Sequence, residues 1–346
     1  MRTSSRVLVM LAVLLLVLAG CGGDDEGGGA TATTQQQLKV AMALPGAIND
    51  QGFNQSAYAG LEACKQNGVQ TAFKEKIPPP QFESSLETFA RDNDVVIGHG
   101  FEWGEPVGKV APEHSDVKWV VTSNPLKPAA PNVVHAIINS TQGAYLAGVV
   151  AGAATESDKI AGVGGLKFPV LEAQMAAYEA GAKSVNSDVT MQTVWLGTFD
   201  DAAKGREAAQ SLAAEDVDVV YHIADAAGVG VINGADAAKI KAIGWGLDQN
   251  SVAPQTVVAS QIVDTTKQIA DLCKELQANG AQPAGEFGGK VDVDGLRSGN
   301  IGISKLYNLP ATVQTEVDKA KQEIEDGTAK VPSIGGDIPG SGPESG

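Results

Sequence analysis

Hydrophobic and polar positions alternate between two patterns from residue 38 to about 303. Short apolar, β-branched runs predict strands at 38–44, 71–75, 95–98, 118–122, 133–138, 159–164, 190–195, 217–223, 241–245, 257–262 and 300–303. Between them, apolar residues recur at helical spacing over 56–67, 80–92, 140–154, 169–185, 200–215, 227–238 and 265–279. Strands alternating with amphipathic helices predict an α/β fold of parallel sheets covered on both faces. About ten strands are many for one sheet, so two sheets are expected.

The N-terminus follows a different pattern. Arg2 and Arg6 precede an unbroken apolar run from Val7 to Ala19. That run is shorter than the roughly 20 residues a spanning helix needs. A basic flank, a short apolar core and small residues at its end mark a secretory signal over 1–20. The run closes in Leu18-Ala19-Gly20-Cys21, which places a lipidated cysteine at the start of the mature chain. Residues 21–37 contain Gly, Asp, Glu, Thr and Gln but no apolar side chain larger than Ala, so they are expected to form a flexible leash. About fifteen such residues reach roughly 20 Å. Stable anchoring needs more than one acyl chain. The expected location is therefore the extracytoplasmic face of the cell membrane. At the other end, 331–346 is a Pro/Gly/Ser-rich tail expected to be disordered.

Charge narrows the partners. The formal net charge is −16, and it becomes −18 when Arg2 and Arg6 leave with residues 1–20. Such a chain is not expected to grip nucleic acid. Two further cysteines, Cys64 and Cys273, fall in predicted helices. Outside the cytoplasm they are either bridged or two buried thiols, and the sequence alone leaves both open.

Ligands of open α/β sheets sit beyond the carboxyl ends of strands. After the first strand come Phe53, Asn54 and Ser56. Phe53 is placed to stack on a ring, and Asn54 offers a donor and an acceptor. The alternative is that Asn54 or Ser56 caps the next helix with Phe53 as its staple. Other strands end in His99-Gly-Phe101-Glu102-Trp103, in Trp195-Leu-Gly-Thr-Phe199, in His222-Ile-Ala-Asp225 and in Trp245-Gly-Leu-Asp248. Aromatics are only 5% of the chain, yet three of its four Trp fall at these ends. Rings interspersed with carboxylates and amides suit a flat, polar, uncharged or weakly cationic ligand.

Enzyme signatures are missing: there is no Gly-x-Ser-x-Gly elbow and no phosphate loop, and Gly228-Val-Gly230-Val-Ile-Asn-Gly234 misses the dinucleotide spacing. His99, His114, His135 and His222 lack metal-ligand spacing, so neither metal nor cofactor is expected. Glu102 and Asp225 remain as a formal acid/base pair.

The stretches Gly52-Phe-Asn-Gln-Ser-Ala-Tyr-Ala-Gly60, Gln142-Gly-Ala-Tyr-Leu-Ala-Gly148, Gly164-Gly-Leu-Lys-Phe-Pro169, Leu196-Gly-Thr-Phe-Asp-Asp201 and Leu247-Asp-Gln249 together resemble the basic membrane protein family. These are substrate-binding lipoproteins of ABC transporters and include purine nucleoside receptors. The resemblance implies a type I periplasmic-binding fold, two Rossmann-like lobes joined by three crossovers near Asn139, Ala259 and Ser298. Lobe I would comprise 38–138 plus 260–298, and lobe II 139–259 plus 299–330. It would also put the Cys64 and Cys273 helices in one lobe. Phe53 and Asn54 match the base-contacting pair of the nucleoside receptors, and either Trp195 or Phe199 would close the stack. Phe101, Trp103 and Trp245 complete the expected aromatic lining.

Several positions depart from the family pattern. Ser123 stands where the family often has Asp. Gly244-Trp245-Gly246-Leu247-Asp248-Gln249 replaces Gly-Val-Asp-Ser-Asp-Gln and keeps only Asp248 of its two acids. Val263 replaces a Lys, and Asp225 replaces a turn glycine. The lost groups are those expected to hold ribose hydroxyls, which favours a nucleobase or small nitrogen heterocycle. The resulting expectation is a monomeric receptor that delivers such a ligand to a membrane permease and does no chemistry on it. A lipoprotein signalling to a membrane regulator and a nucleoside hydrolase are the competing readings.

Overall fold

The computed structural model describes residues 37–50, 52–278 and 283–332. The signal segment, Cys21, the leash up to Gln36 and residues 333–346 lie outside the described residues.

The first half of the chain builds one sheet. Strands β1 (Lys39–Ala43), β2 (Gln70–Lys74), β3 (Val95–Gly98), β4 (Lys118–Thr122) and β5 (Val133–Ile138) alternate with helices α1 (Phe53–Gln66), α2 (Phe82–Ala90) and α3 (Gly104–Val110). Then α4 (Ser140–Ala154) leads into a second sheet: β6 (Lys159–Gly164), α5 (Pro169–Val185), β7 (Thr190–Trp195), α6 (Ala202–Ala214), β8 (Val219–Ile223), α7 (Asp225–Ala238), β9 (Lys241–Gly246) and β10 (Val257–Val263). After α8 (Thr265–Ala278) and α9 (Ala284–Phe287), β11 (Lys290–Asp294) returns to the first sheet. Last come β12 (Ile301–Ile303), in the second sheet, and α10 (Ala311–Glu325).

The strand orders are β11-β5-β4-β3-β1-β2 and β12-β10-β9-β8-β6-β7. Every pair is parallel except β10 with β12. Strands β1, β3, β4 and β5 are buried almost throughout, as a sheet covered on both faces requires. The chain crosses between sheets three times: after Ile138, after Val263 and after Asp294. The second crossing falls later than Ala259 because β10 runs on to Val263. Residues 260–263 thus pair within the second sheet.

Two helix pairs set the lobe cores. In lobe II, α4 is buried at nearly every position and lies against α5 at backbone distance. A methyl at Gly148 would stand 2.0 Å from the Tyr178 carbonyl, and one at Gly181 2.0 Å from the Tyr145 carbonyl. In lobe I, α1 packs on α8, and Cys64 is joined to Cys273 with the Cα atoms 5.7 Å apart. Among the described residues no helix is long and apolar enough to cross a membrane.

Candidate ligand site between the lobes

Strand ends of both sheets open onto one cavity of about 770 Å³. Lobe I contributes Pro45 after β1, Phe101 after β3, Ser123 after β4 and Ile138 from β5. Lobe II contributes Phe168, Phe199, Ile223, Asp225 and Trp245. This volume lies in the range of small-molecule sites. Three lining residues, Lys76, Ser123 and Asp225, hold positive φ angles of 52°, 58° and 46° without being glycine. Such strain is retained where the surroundings enforce a particular geometry, often at a binding site.

The N-terminus of α1 is organised by Asp50, which the sequence reading did not single out. Its carboxylate accepts from the backbone N–H of Gly52 at 2.9 Å, Asn54 at 2.9 Å and Gln55 at 3.0 Å. It also accepts from Asn54 Nδ2 at 2.8 Å, while Asn54 Oδ1 accepts from Gly46 N–H at 3.2 Å. Asp50 is therefore the cap, and neither Asn54 nor Ser56 fills that role; Ser56 Oγ donates back to the Phe53 carbonyl. The Asn54 amide is fixed in orientation, with one N–H left for a ligand.

Phe53 rests against the His99 ring, with centroids 3.8 Å apart. A hydrogen-bond chain defines that imidazole. Gly100 N–H donates to Thr122 Oγ1 at 2.9 Å, and Thr122 Oγ1 lies 2.8 Å from His99 Nδ1. His99 Nε2 lies 3.1 Å from the Phe53 carbonyl, which only accepts, so the proton sits on Nε2 and Thr122 donates to Nδ1. Burial pushes the His99 pKa down to about 3, so the ring is neutral and acts as a backing plate for Phe53.

Trp245 faces Phe53 from lobe II at 6.3 Å between centroids. Its Nε1–H donates to Gln174 Oε1 at 3.1 Å, and Gln261 Nε2 donates to the same oxygen at 3.4 Å. Tyr221 donates its hydroxyl proton to Gln261 Oε1, which completes a buried network holding the indole. Phe101 and Phe168 stack across the seam at 5.8 Å, and Phe168 meets Phe199 at 6.3 Å. The Phe53 backbone N–H of lobe I favours the ionised form of Asp225, which lobe II carries. Desolvation and the neighbouring carboxylates Asp50, Asp200 and Glu102 push its carboxyl well above the usual range.

Of the ten residues singled out from the sequence, the fold brings Phe53, Asn54, Phe101, Ser123, Phe199, Asp225 and Trp245 into the cavity lining. Three stand elsewhere. Trp103 is fully buried in the lobe I core, stacked on Phe82 at 4.0 Å. Trp195 packs over Gly164 on the neighbouring strand, so Phe199 is the member of that pair in the cavity. Asp248 is exposed; it accepts from Tyr307 Oη at 2.6 Å and from Asn250 N–H at 3.1 Å. Beyond Asp50, the lining residues Phe168 and Gln174 also went unnoticed. Phe168 follows β6, so the strand-end rule applied to it as to the others. Among the described residues no group of three or more His, Cys, Asp or Glu is arranged to hold a metal ion.

Two α/β lobes, three crossings and a ligand-sized cavity at the seam define a type I solute-binding protein. Residues 37–334 match the model of the Bmp family, described as ABC transporter substrate-binding protein, PnrA-like, and the chain belongs to that family. It is 30% identical over 306 residues to the ABC transporter nucleoside-binding protein BmpA of Lactococcus lactis, covering 83% of this chain and 86% of that protein. Among solved structures it resembles an ABC transporter solute-binding protein from Aeropyrum pernix (TM-score 0.74, 23% identity, 84% of this chain and 92% of that one). It also resembles one from Conexibacter woesei (TM-score 0.69, 26% identity, 86% and 99%). The protein is thus a substrate-binding component of an ABC transporter and not an enzyme.

Proposed function

We propose that the chain is a lipid-anchored, extracytoplasmic receptor that closes its lobes over a flat nitrogen heterocycle and presents it to an ABC permease. The nucleobase and purine-nucleoside class fits best. The observation that carries this reading is the pairing of Phe53, backed by His99, with the hydrogen-bonding edge of Asn54 and Asp225 in a cavity of about 770 Å³. Stacking supplies affinity, and polar groups left unpaired penalise the wrong ring. Phe101, Ser123, Phe199 and Trp245 complete the proposed contacts. Ser123 in the lining brings no carboxylate, and Asp248 is tied to Tyr307, so two positions expected to hold a ribose do not offer a free acid. Free bases are therefore expected to bind more tightly than their nucleosides. Calorimetry on matched pairs, adenine with adenosine and hypoxanthine with inosine, checks this. Tighter binding of the nucleosides would sink the preference.

Anchoring is assigned to Cys21. The leash keeps the receptor near its permease and raises their effective concentration. Cys21→Ser is expected to leave ligand affinity unchanged, to release the protein from the membrane fraction and to abolish uptake. A loss of affinity in the soluble variant would contradict the separation of anchor and receptor.

A further inference from the structure

The cavity has an asymmetric charge. Asp50, Glu102, Asp200 and Asp225 line it, and among the described residues the single lining cation is Lys76, an exposed residue. Asp50 is compensated by four N–H groups. Asp225 has the Phe53 N–H, a dipole and not a charge, and the charged groups acting on it are all carboxylates. Glu102 is held above its ordinary range by burial, and the hydrogen bond that opposes this comes from its own backbone. His99 and His222 are neutral, with pKa values lowered to about 3 and about 4. Closed lobes thus hold carboxylates from both sides, and the lining cation that faces them among the described residues is the exposed Lys76. Burying such groups unpaired is costly.

A second feature has the same chemical preference. Phe101, Phe168 and Phe199 form a run of rings lining the same cavity, with neighbouring centroids 5.8 Å and 6.3 Å apart. Aromatic faces attract cations, and rings grouped around a space are the usual way to hold a charged nitrogen. We propose that the preferred ligand is a flat heterocycle bearing a positively charged nitrogen, with Asp225 and Glu102 at its charged edge and the Phe101, Phe168 and Phe199 rings around it. This rests on the cavity being the ligand site, as proposed above, and narrows the class of ring that it takes.

The test is a matched pair on the full-length protein in detergent: 1-methylnicotinamide, which carries a fixed charge, and nicotinamide, which is neutral. Ion-pair and cation–π attraction to the fixed charge should give about tenfold tighter binding of the cation. Asp225→Asn should bring the two affinities to within about threefold, by loss from the cation alone. Equal or tighter binding of nicotinamide overturns the inference, as does failure of the cation to bind at millimolar concentration. In those cases adenine binding leaves the proposed function standing. Failure of adenine and of both nicotinamides removes both readings.

Discussion

Phe53→Ala is expected to weaken binding of the tightest nucleobase by about 30- to 1,000-fold, the equivalent of about 2–4 kcal/mol. The ring is half-buried, supported by His99 at 3.8 Å and faced by Trp245 at 6.3 Å, so it is held at the seam before ligand arrives. Truncation removes the stacking surface and leaves the His99 ring uncovered. The His99 hydrogen bond to the Phe53 backbone carbonyl survives the substitution, so the fold should be kept. Calorimetry reads the loss, and a melting temperature close to that of the parent protein shows that it is local. An affinity within about threefold of the parent would mean that Phe53 only packs the seam.

Removal of the disulfide should have the largest effect on stability. Cys64 and Cys273 are 209 residues apart in sequence and join α1 to α8. Constraint of so long a loop is worth about 3–5 kcal/mol, most of it through the unfolded chain. At roughly 2–4 °C per kcal/mol for a domain of this size, Cys64→Ser with Cys273→Ser should lower the melting temperature by about 10 °C. Both sulfurs are buried between helices, so the serines also bring hydroxyls into apolar surroundings. Reduction of the parent protein should reproduce most of the shift and separates the bridge from the hydroxyls. An unchanged melting temperature in both experiments would contradict the assignment of a stabilising role.

Most of the fold was legible because parallel strands buried on both faces appear as apolar runs. β3 to β6 occupy the residues that the pattern indicated. β11 was missed because Lys290-Val-Asp-Val-Asp294 is an edge strand with a charge at every second position. α10 was missed although Val313, Val317, Ala320 and Ile324 fall on one buried helical face, because its polar residues outnumber them. The site was legible only as far as strand ends predict it. That rule found Phe53, Phe101, Phe199 and Asp225, but it cannot tell a side chain that points into the seam from one that points into a lobe. Trp103 follows the same strand as Phe101 and turns inward onto Phe82. Asp50 was hidden for a different reason: its role depends on the loop folding back to offer it three backbone N–H groups.

The central claim is that the seam between the lobes holds an intact flat heterocycle. Mass spectrometry of the gently purified protein, before and after denaturation, tests it most directly on the parent and on Phe53→Ala. The expected result is one small nitrogen heterocycle per chain on the parent, released unchanged on denaturation and absent from the variant. A sugar, a peptide or a cleaved nucleoside in its place, or a ligand retained equally by Phe53→Ala, would contradict the account.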